Sequence, residues 1–227
     1  MGRRVELSAE DQARISAAVH AAEAQTSGEI VTILAERSDD YADTALWWSA
    51  GVALLALGFL CVLPDFYLGL IDWLLGRWAI DWTPRAVLEL ALTAASLKFA
   101  GMWLLQLWRP LRLALVPGPV RSARVRARAL ACFRAAAERR TKGRTGILLY
   151  LSLDEHRAEI IADEAIHNRV AADEWGKAMA DLIAPVREGR VADGLVAAIG
   201  DIGTLLSAHL PRAADDENEL PDRVITL

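Results

Sequence analysis

The sequence predicts a small three-layer α/β/α sandwich that is interrupted by an inserted pair of membrane-spanning helices. Three observations lead to this fold class. Residues 45–63 form an apolar run without a charged side chain. Residues 86–108 form a second apolar run, and the hydrophilic sequence on either side of the two runs alternates short apolar strands with amphipathic helices. The chain has 227 residues, 54 % of them hydrophobic, which is enough for one soluble domain and a helical hairpin.

The first part of the soluble domain is expected in residues 1–44. Ser8 is typical of a helix N-cap, and the apolar positions that follow it recur at helical spacing. Gly28 suits the end of this helix, since glycine adopts the left-handed conformation common there. The β-branched run at 29–36 then predicts a buried strand.

The hairpin insertion is expected in residues 45–116. Residues 45–63 would give about 28 Å of helix, close to the thickness of a bilayer core. Residues 66–82 are too short and too charged to span, and they predict an interfacial or re-entrant helix between the spans at 45–63 and 86–108. Seven of the eight tryptophans lie between residues 47 and 108, several of them near the ends of the two runs, as in the aromatic belts of membrane proteins.

Two charged residues interrupt the second run. Glu89 lies one turn inside its start, and Lys98 lies near its middle, where a charge costs about 2.5–3.5 kcal/mol on the insertion scale. One interpretation is an ion or proton path. The interpretation that we favour is a lysine that extends to the interface or faces a protein contact.

The distribution of arginines predicts the orientation of the hairpin. The connection between the runs offers Arg77 and Arg85, whereas six arginines follow the second run closely: Arg109, Arg112, Arg121, Arg124, Arg126 and Arg128. Positive residues favour the cytoplasmic side, so we expect both flanks and both termini in the cytoplasm. We also expect these six residues to face the anionic lipid surface. No nucleic-acid motif accompanies them, so we expect no nucleic-acid partner.

The second part of the soluble domain is expected in residues 117–211. A basic amphipathic helix near 120–140 precedes strands at 145–153 and 157–162, a helix starting near Asn168, and a last apolar helix that stops near Pro211. Residues 212–227 form an acidic tail that we expect to be loosely attached, although Leu220, Val224 and Ile225 could dock. The two cysteines, Cys61 and Cys132, predict neither a disulfide framework nor a cysteine metal site.

Several segments resemble the TPM domain family, in particular its bacterial integral-membrane branch. The resemblance lies in EAQTSGEIVTILAERSDDY, GILLYLSLDEHRAEIIADEAI, WGKAMADLIAPVREGRVADGLVAAIGDIGTLLSAHLP and the closing NELPD. It implies an α/β sandwich and placement in a bacterial inner membrane. Some members of the family are described as divalent-metal-binding acid phosphatases, and others are auxiliary factors of membrane complexes.

The resemblance leaves two functions open. The first is a non-catalytic interaction or assembly module, anchored in the lipid bilayer and bound to an unknown membrane protein. The alternative is a phosphatase that uses Ca²⁺ or Mg²⁺. Carboxylates after two strands, Asp39, Asp40, Asp154 and Glu155, are the candidate metal ligands, because hard oxygen atoms suit these ions and ligands gather beyond the carboxyl ends of strands. Asp154, His156 and Arg157 are the candidate catalytic residues, and no established catalytic motif accompanies them.

Overall fold

The computed structural model describes residues 7–76, 82–136, 145–171, 173–212, 220 and 222–227. These residues form two compact units. Unit 1 comprises residues 1–39 and 118–227, and unit 2 comprises residues 40–117. Each unit is described by itself.

Unit 1 is built around a four-stranded mixed sheet in the order β3-β2-β1-β4. Strand β1 (Glu29–Ala35) lies parallel to β2 (Gly146–Ser152), so that Glu29 faces Gly146 and Ala35 faces Ser152. Strand β3 (Arg157–Ala162) returns antiparallel to β2, and the short β4 (Ile225–Thr226) lies parallel to β1. The carboxyl ends of β1 and β2 therefore share one edge of the sheet.

Helices cover both faces of this sheet. Alternate residues of β1 and β2, such as Ile30 and Leu149, pack in one core with helices α1 (Ala9–Glu23), α8 (Gly176–Arg187) and α9 (Val191–His209). The residues between them, such as Val31 and Leu148, pack on the other face against α6 (Gly118–Ala136). Because successive strand residues point to opposite faces, two apolar faces require two helical layers. The expected three-layer α/β/α architecture is confirmed.

Close approach of helices holds the first of these layers together. A Cβ atom added at Gly203 of α9 would lie 2.6 Å from the Cβ atom of Ala22 on α1. One added at Gly194 would lie 2.6 Å from the carbonyl oxygen of Leu182 on α8. Both distances are too short for real atoms, so glycine at these two positions permits the backbones of α1, α8 and α9 to pack directly.

Unit 2 is helical throughout its described part. Helices α2 (Ala42–Val62) and α4 (Pro84–Leu105) pack side by side, joined by α3 (Pro64–Leu75) and followed by α5 (Arg109–Leu115). Thr83 caps α4 by accepting a hydrogen bond from the backbone N–H of Ala86, and Gly76 ends α3 in the left-handed conformation. The large apolar side chains of α2 and α4 point outward: Trp47 is 76 % exposed and Leu92 is 70 % exposed.

Polar groups lie inside unit 2. Gln106, only 1 % exposed, donates from Nε2 to the carbonyl oxygen of Ala45 at 3.0 Å and to Ser49 Oγ at 3.2 Å. The side chain of Ser49 donates in turn to the same carbonyl. These bonds join the end of α4 to the beginning of α2, so the two helices run antiparallel.

Within the described residues, three helices are long and apolar enough to cross a membrane: α2, α4 and α9. They differ in surroundings. None of the most apolar stretch of α4 is buried within the protein, whereas 44 % of that of α9 is buried, in the core of unit 1. Apolar helices of membrane-spanning length are therefore present, and their number exceeds the two expected from the sequence.

Some elements differ from the sequence-based expectations. The helix expected to start near Asn168 is divided into a short α7 (Glu164–His167), capped by Asp163, and α8, which starts at Gly176. The tail docks at two of the positions that the sequence allowed, since Leu220 is buried and Ile225 lies in β4, which extends the sheet. Residues 77–81 of the expected interfacial segment and residues 213–219 and 221 of the tail lie outside the described residues.

Candidate functional site

A buried polar network lies where β1 and β2 end. The backbone N–H of Ser38 donates to Glu155 Oε1 at 3.0 Å, and Ser38 Oγ lies 3.0 Å from both Tyr150 Oη and Ser152 Oγ. Ser152 Oγ donates to the other carboxylate oxygen of Glu155. Glu155 is 2 % exposed, and Tyr150 and Ser152 are fully buried.

The hydroxyl groups of this network form a chain with one direction. Ser38 and Ser152 each have a single hydroxyl proton. The Ser38 hydroxyl donates its proton to Ser152 Oγ, and the Ser152 hydroxyl donates its proton to Glu155. Ser38 therefore has no proton left for Tyr150, and Tyr150 must donate to Ser38. Burial raises the pKa of Tyr150. The phenol is therefore held in its protonated, donating form.

The backbone at this edge is fixed by the same two segments. The N–H of Leu153 donates to the carbonyl oxygen of Ala35 at 3.0 Å, and the N–H of Asp154 donates to that of Glu36 at 2.9 Å. His156 adopts a positive φ of 51°, which a non-glycine residue adopts only where the surrounding turn holds it there. The segment that leaves β1 is thus tied to the β2–β3 turn up to Ser38.

Two of the carboxylates predicted as metal ligands have other partners within unit 1. Glu155 uses both oxygens within the network, and Asp39 forms an ion pair of 3.3 Å with Arg124 of α6. Asp40 belongs to unit 2, where its carbonyl oxygen accepts a hydrogen bond from Arg112. Among the described residues, no three histidine, cysteine, aspartate or glutamate side chains form a group that could hold a metal ion. Binding of Ca²⁺ or Mg²⁺ at Asp39, Asp40, Asp154 and Glu155 stays a prediction.

The candidate catalytic residues lie on the outer side of the turn. Asp154 is half-buried, whereas His156 and Arg157 are exposed. Nδ1 of His156 lies 3.2 Å from the carbonyl oxygen of Asp154, a contact within the turn itself. Asp163 and Glu164 also follow a strand, but they lie at the opposite end of the sheet, where β2 begins. The reason is that β3 runs antiparallel to β2, and the N–H of Asp163 donates to the carbonyl oxygen of Gly146.

The network suits a structural role better than a reaction. A nucleophile must reach its substrate, and the Ser152 hydroxyl has no exposed surface. The network fixes the position of Ser38. This residue directly precedes Asp39, where the first segment of unit 1 ends. Fully satisfied buried polar networks of this kind specify one local conformation.

The six arginines predicted to face a lipid surface occur on two helices. Arg109 and Arg112 belong to α5 in unit 2, and Arg112 donates to the carbonyl oxygen of Gln106. The other four are on α6 in unit 1. Arg124 pairs with Asp39, and Arg126 pairs with Glu159 at 3.4 Å. Arg128 is exposed and has no ion pair within the part of the chain that the structure describes. The basic face of α6 is thus partly neutralised by its own domain.

The sequence reasoning missed three members of the network: Ser38, Tyr150 and Ser152. A signal was present for two of them, since residues two apart on a strand share a face and Tyr150 and Ser152 stand at this spacing in β2. Ser38 comes from a distant segment, and nothing in its local sequence distinguishes it from an ordinary loop serine.

Part of this chain is similar to a known domain family. Residues 118–205 match the model of a family described as the TPM domain. The match begins at Gly118, where the second segment of unit 1 begins. No curated protein is similar enough in sequence to count as a relative.

One solved structure is similar in fold. The NMR structure of the BA42 protein from the psychrophilic bacterium Bizionia argentinensis is 20 % identical in sequence, with a TM-score of 0.57 over 100 % of both chains. At that identity the likeness concerns the fold alone. The described α/β sandwich and the matching segment lead to one conclusion: this chain contains a TPM domain, carried by residues 118–205.

Proposed function

We propose that this protein is a membrane-anchored, non-catalytic interaction or assembly module whose TPM domain lies on the cytoplasmic face of a bacterial inner membrane. Its partners are the lipid bilayer and another membrane protein. The single observation that carries the proposal is the outward-facing apolar surface of α2 and α4.

This surface is too large for a protein surrounded by water. Leu54, Leu88 and Leu92 are each at least 67 % exposed, and Trp47 and Trp108 are similarly exposed at the end of the pair where α2 begins and α4 ends. A contiguous apolar surface of this kind marks a region that another apolar phase covers. Two helices of 21 and 22 residues match the roughly 30 Å of bilayer hydrocarbon.

We assign two spans to the chain, and α9 is not one of them. Leu195, Ile199 and Ile202 on α9 are fully buried in the core shared with α1 and α8. Moving α9 into lipid would remove the packing at Gly203 and leave the sheet face uncovered. Two spans also return the chain to the side from which it started, as a domain assembled from both flanks requires.

The arginines support a cytoplasmic domain. Helices α5 and α6 directly follow α4 and contain all six arginines of the predicted lipid-facing set, whereas Arg85 starts α4 at the opposite end. Positively charged residues are retained on the cytoplasmic side of bacterial inner membranes. Exposed arginines such as Arg128 then face anionic headgroups, each worth about 1 kcal/mol near the surface.

Cysteine accessibility tests the topology. In a variant that carries Cys61→Ser and Cys132→Ser, single cysteines replace the exposed residues Gln25, Asp65 and Ala208 one at a time. We expect a membrane-impermeant maleimide to label Asp65→Cys in intact spheroplasts, and to label Gln25→Cys and Ala208→Cys only after permeabilisation. Labelling of Gln25→Cys and Ala208→Cys from different compartments would contradict the proposal.

An activity assay tests the absence of catalysis. The full-length protein in mild detergent is assayed with a phosphomonoester, with and without Ca²⁺ and Mg²⁺, beside the variant Asp154→Ala. We expect no turnover that depends on Asp154 and no heat of metal binding by calorimetry. Robust metal-dependent hydrolysis that Asp154→Ala abolishes would replace the proposal by the phosphatase alternative.

A further inference from the structure

An elongated groove in unit 2 runs between α2, α3 and α4. Its volume is about 630 Å³, within the range typical of small-molecule sites. Along α4 its lining extends from Leu90 to Leu105, which corresponds to roughly 22 Å of helix. The side chains that line it are almost entirely apolar, and Lys98 is its only charged residue among those described.

Lys98 has no anionic partner among the residues of unit 2 that the structure describes. No described carboxylate forms an ion pair with its ammonium group, whereas Glu89, the other charged residue of the expected second span, pairs with Arg85 at 2.8 Å. A cation that lies among apolar side chains at membrane depth requires a counter-charge or water, and it marks a candidate functional site with a missing partner.

Shape and charge together define what would complete the groove. An apolar groove of this length fits an extended hydrocarbon chain, and an unpaired ammonium group fits a single anionic group attached to that chain. Lys98 is seven residues from the end of α4, which places it about 10 Å from that end. A phospholipid headgroup resides at the interface, whereas a carboxylate at the end of one chain is small enough to enter the groove.

We propose that this groove binds a long-chain carboxylate, with the hydrocarbon chain along α4 and the carboxylate at Lys98. The depth argument rests on the proposed function, since it takes α4 as a span. Such a ligand would give the protein a means of sensing free fatty acid in the membrane that surrounds it.

A glycine in the groove provides a way to block it. Gly101 lines the groove, and a Cβ atom added there would meet nothing within 4 Å. The variant Gly101→Leu therefore places a side chain at the groove, and its Cβ atom does not clash with the helices. Gly51 of α2 is equally open and is not among the lining residues, so Gly51→Leu is the matched control.

The test uses a palmitate analogue that bears a photoreactive diazirine on its chain. The full-length protein is placed in phosphatidylcholine nanodiscs and irradiated, and cross-linked residues are identified by mass spectrometry. We expect cross-links at lining residues such as Met102, suppressed by excess palmitate and not by hexadecanol. We expect Lys98→Met to lower the yield roughly tenfold, the loss of about one charge-assisted hydrogen bond, and Lys98→Arg to retain most of it. Gly101→Leu should abolish it, and Gly51→Leu should leave it unchanged.

Three outcomes overturn the inference. They are equal cross-linking of wild type and Lys98→Met, equal suppression by hexadecanol, and displacement of the probe by nanodiscs of anionic phosphatidylglycerol, which would assign the groove to a phospholipid. The cysteine labelling described above fails or succeeds independently of this experiment, so a wrong topology and a wrong ligand give distinguishable results.

Discussion

Unit 1 and unit 2 are both rich in apolar residues, but unit 1 buries these side chains in its interior and unit 2 exposes them on its surface. In unit 1 the apolar side chains of the strands and of α9, such as Leu148 and Ile199, are fully buried. In unit 2 large apolar side chains such as Leu92 face outward, and the polar side chains of Ser49 and Gln106 are enclosed. Each unit thus has the organisation suited to a different solvent.

The composition of the helices does not distinguish the two units, whereas the packing of the helices does. Helices α4 and α9 both qualify as spans by length and hydropathy. Their surroundings separate them, since α9 fills one layer of the sandwich and α4 leaves its apolar stretch exposed. The experiments below would break this contrast or make it sharper.

The largest effect is expected from matched truncations in the two units. Ile199→Ala removes a fully buried side chain from α9 and should lower the free energy of unfolding by about 2–5 kcal/mol. Leu92→Ala removes an exposed side chain from α4 and should change the free energy of unfolding by about 0.5 kcal/mol or less. Both are measured by denaturation of the full-length protein in mild detergent, followed by circular dichroism. Equal losses would mean that α4 is packed against protein after all.

The polar interior of unit 2 gives the next effect. Gln106→Glu exchanges the Nε2 donor for a carboxylate that faces the carbonyl oxygens of Ala45 and Met102, and it should cost about 1–3 kcal/mol or more. Gln106→Met loses only the hydrogen bonds and should cost less, about 0.6–2 kcal/mol. The midpoint of unfolding on addition of sodium dodecyl sulfate measures both. A glutamate that is tolerated as well as methionine would show that this position is open to water.

Two glycines of α9 test whether that helix belongs to the soluble core. Gly203→Ala places a methyl group against Ala22 and should destabilise unit 1 by about 1–3 kcal/mol. Gly200→Ala meets nothing within 4 Å and should stabilise the helix by up to about 1 kcal/mol. Hydrogen exchange of β2 reports the stability of unit 1 directly. If α9 left unit 1 for the bilayer, the two substitutions would have similar effects.

The smallest effect concerns the pH dependence of unit 1. Burial raises the pKa of Tyr150, while the same phenol in the unfolded chain ionises near its usual value of about 10. Above that pH the unfolded state loses a proton that the folded state retains, so stability falls as pH rises. We expect the wild type to lose stability from about pH 10 upward more steeply than Tyr150→Phe, measured by denaturation at a series of pH values. Parallel curves would show that Tyr150 ionises freely in the folded protein.

Much of the fold could be predicted from the sequence because its signals are local. The strands expected at 29–36, 145–153 and 157–162 correspond closely to β1, β2 and β3, since apolar β-branched runs between turn residues specify strands without reference to the rest of the chain. The strand β4 could not be predicted in this way. Its two residues, Ile225 and Thr226, form a strand only because the exposed edge of β1 offers them hydrogen-bond partners.

The candidate site was less predictable than the fold. Acidic residues after strands are conspicuous in the sequence, and they directed attention to Asp39, Asp40, Asp154 and Glu155. The structure instead gives Glu155 hydroxyl and backbone partners and gives Asp39 an arginine. Which partner a carboxylate finds depends on residues that come from distant segments, here Ser38 for Glu155 and Arg124 for Asp39, and no local pattern encodes that choice.

The ladder between β1 and β2 has a consequence for biosynthesis. Each of its rungs joins a residue translated before unit 2 to a residue translated after it. A nascent β1 must therefore stay unpaired along that edge until β2 has emerged from the ribosome. In the proposed topology this happens after the hairpin has entered the membrane. Completion of the sheet would then report that both ends of the hairpin lie on one side, and a chain whose hairpin failed to return would expose an unfinished sheet to the proteases of the cell.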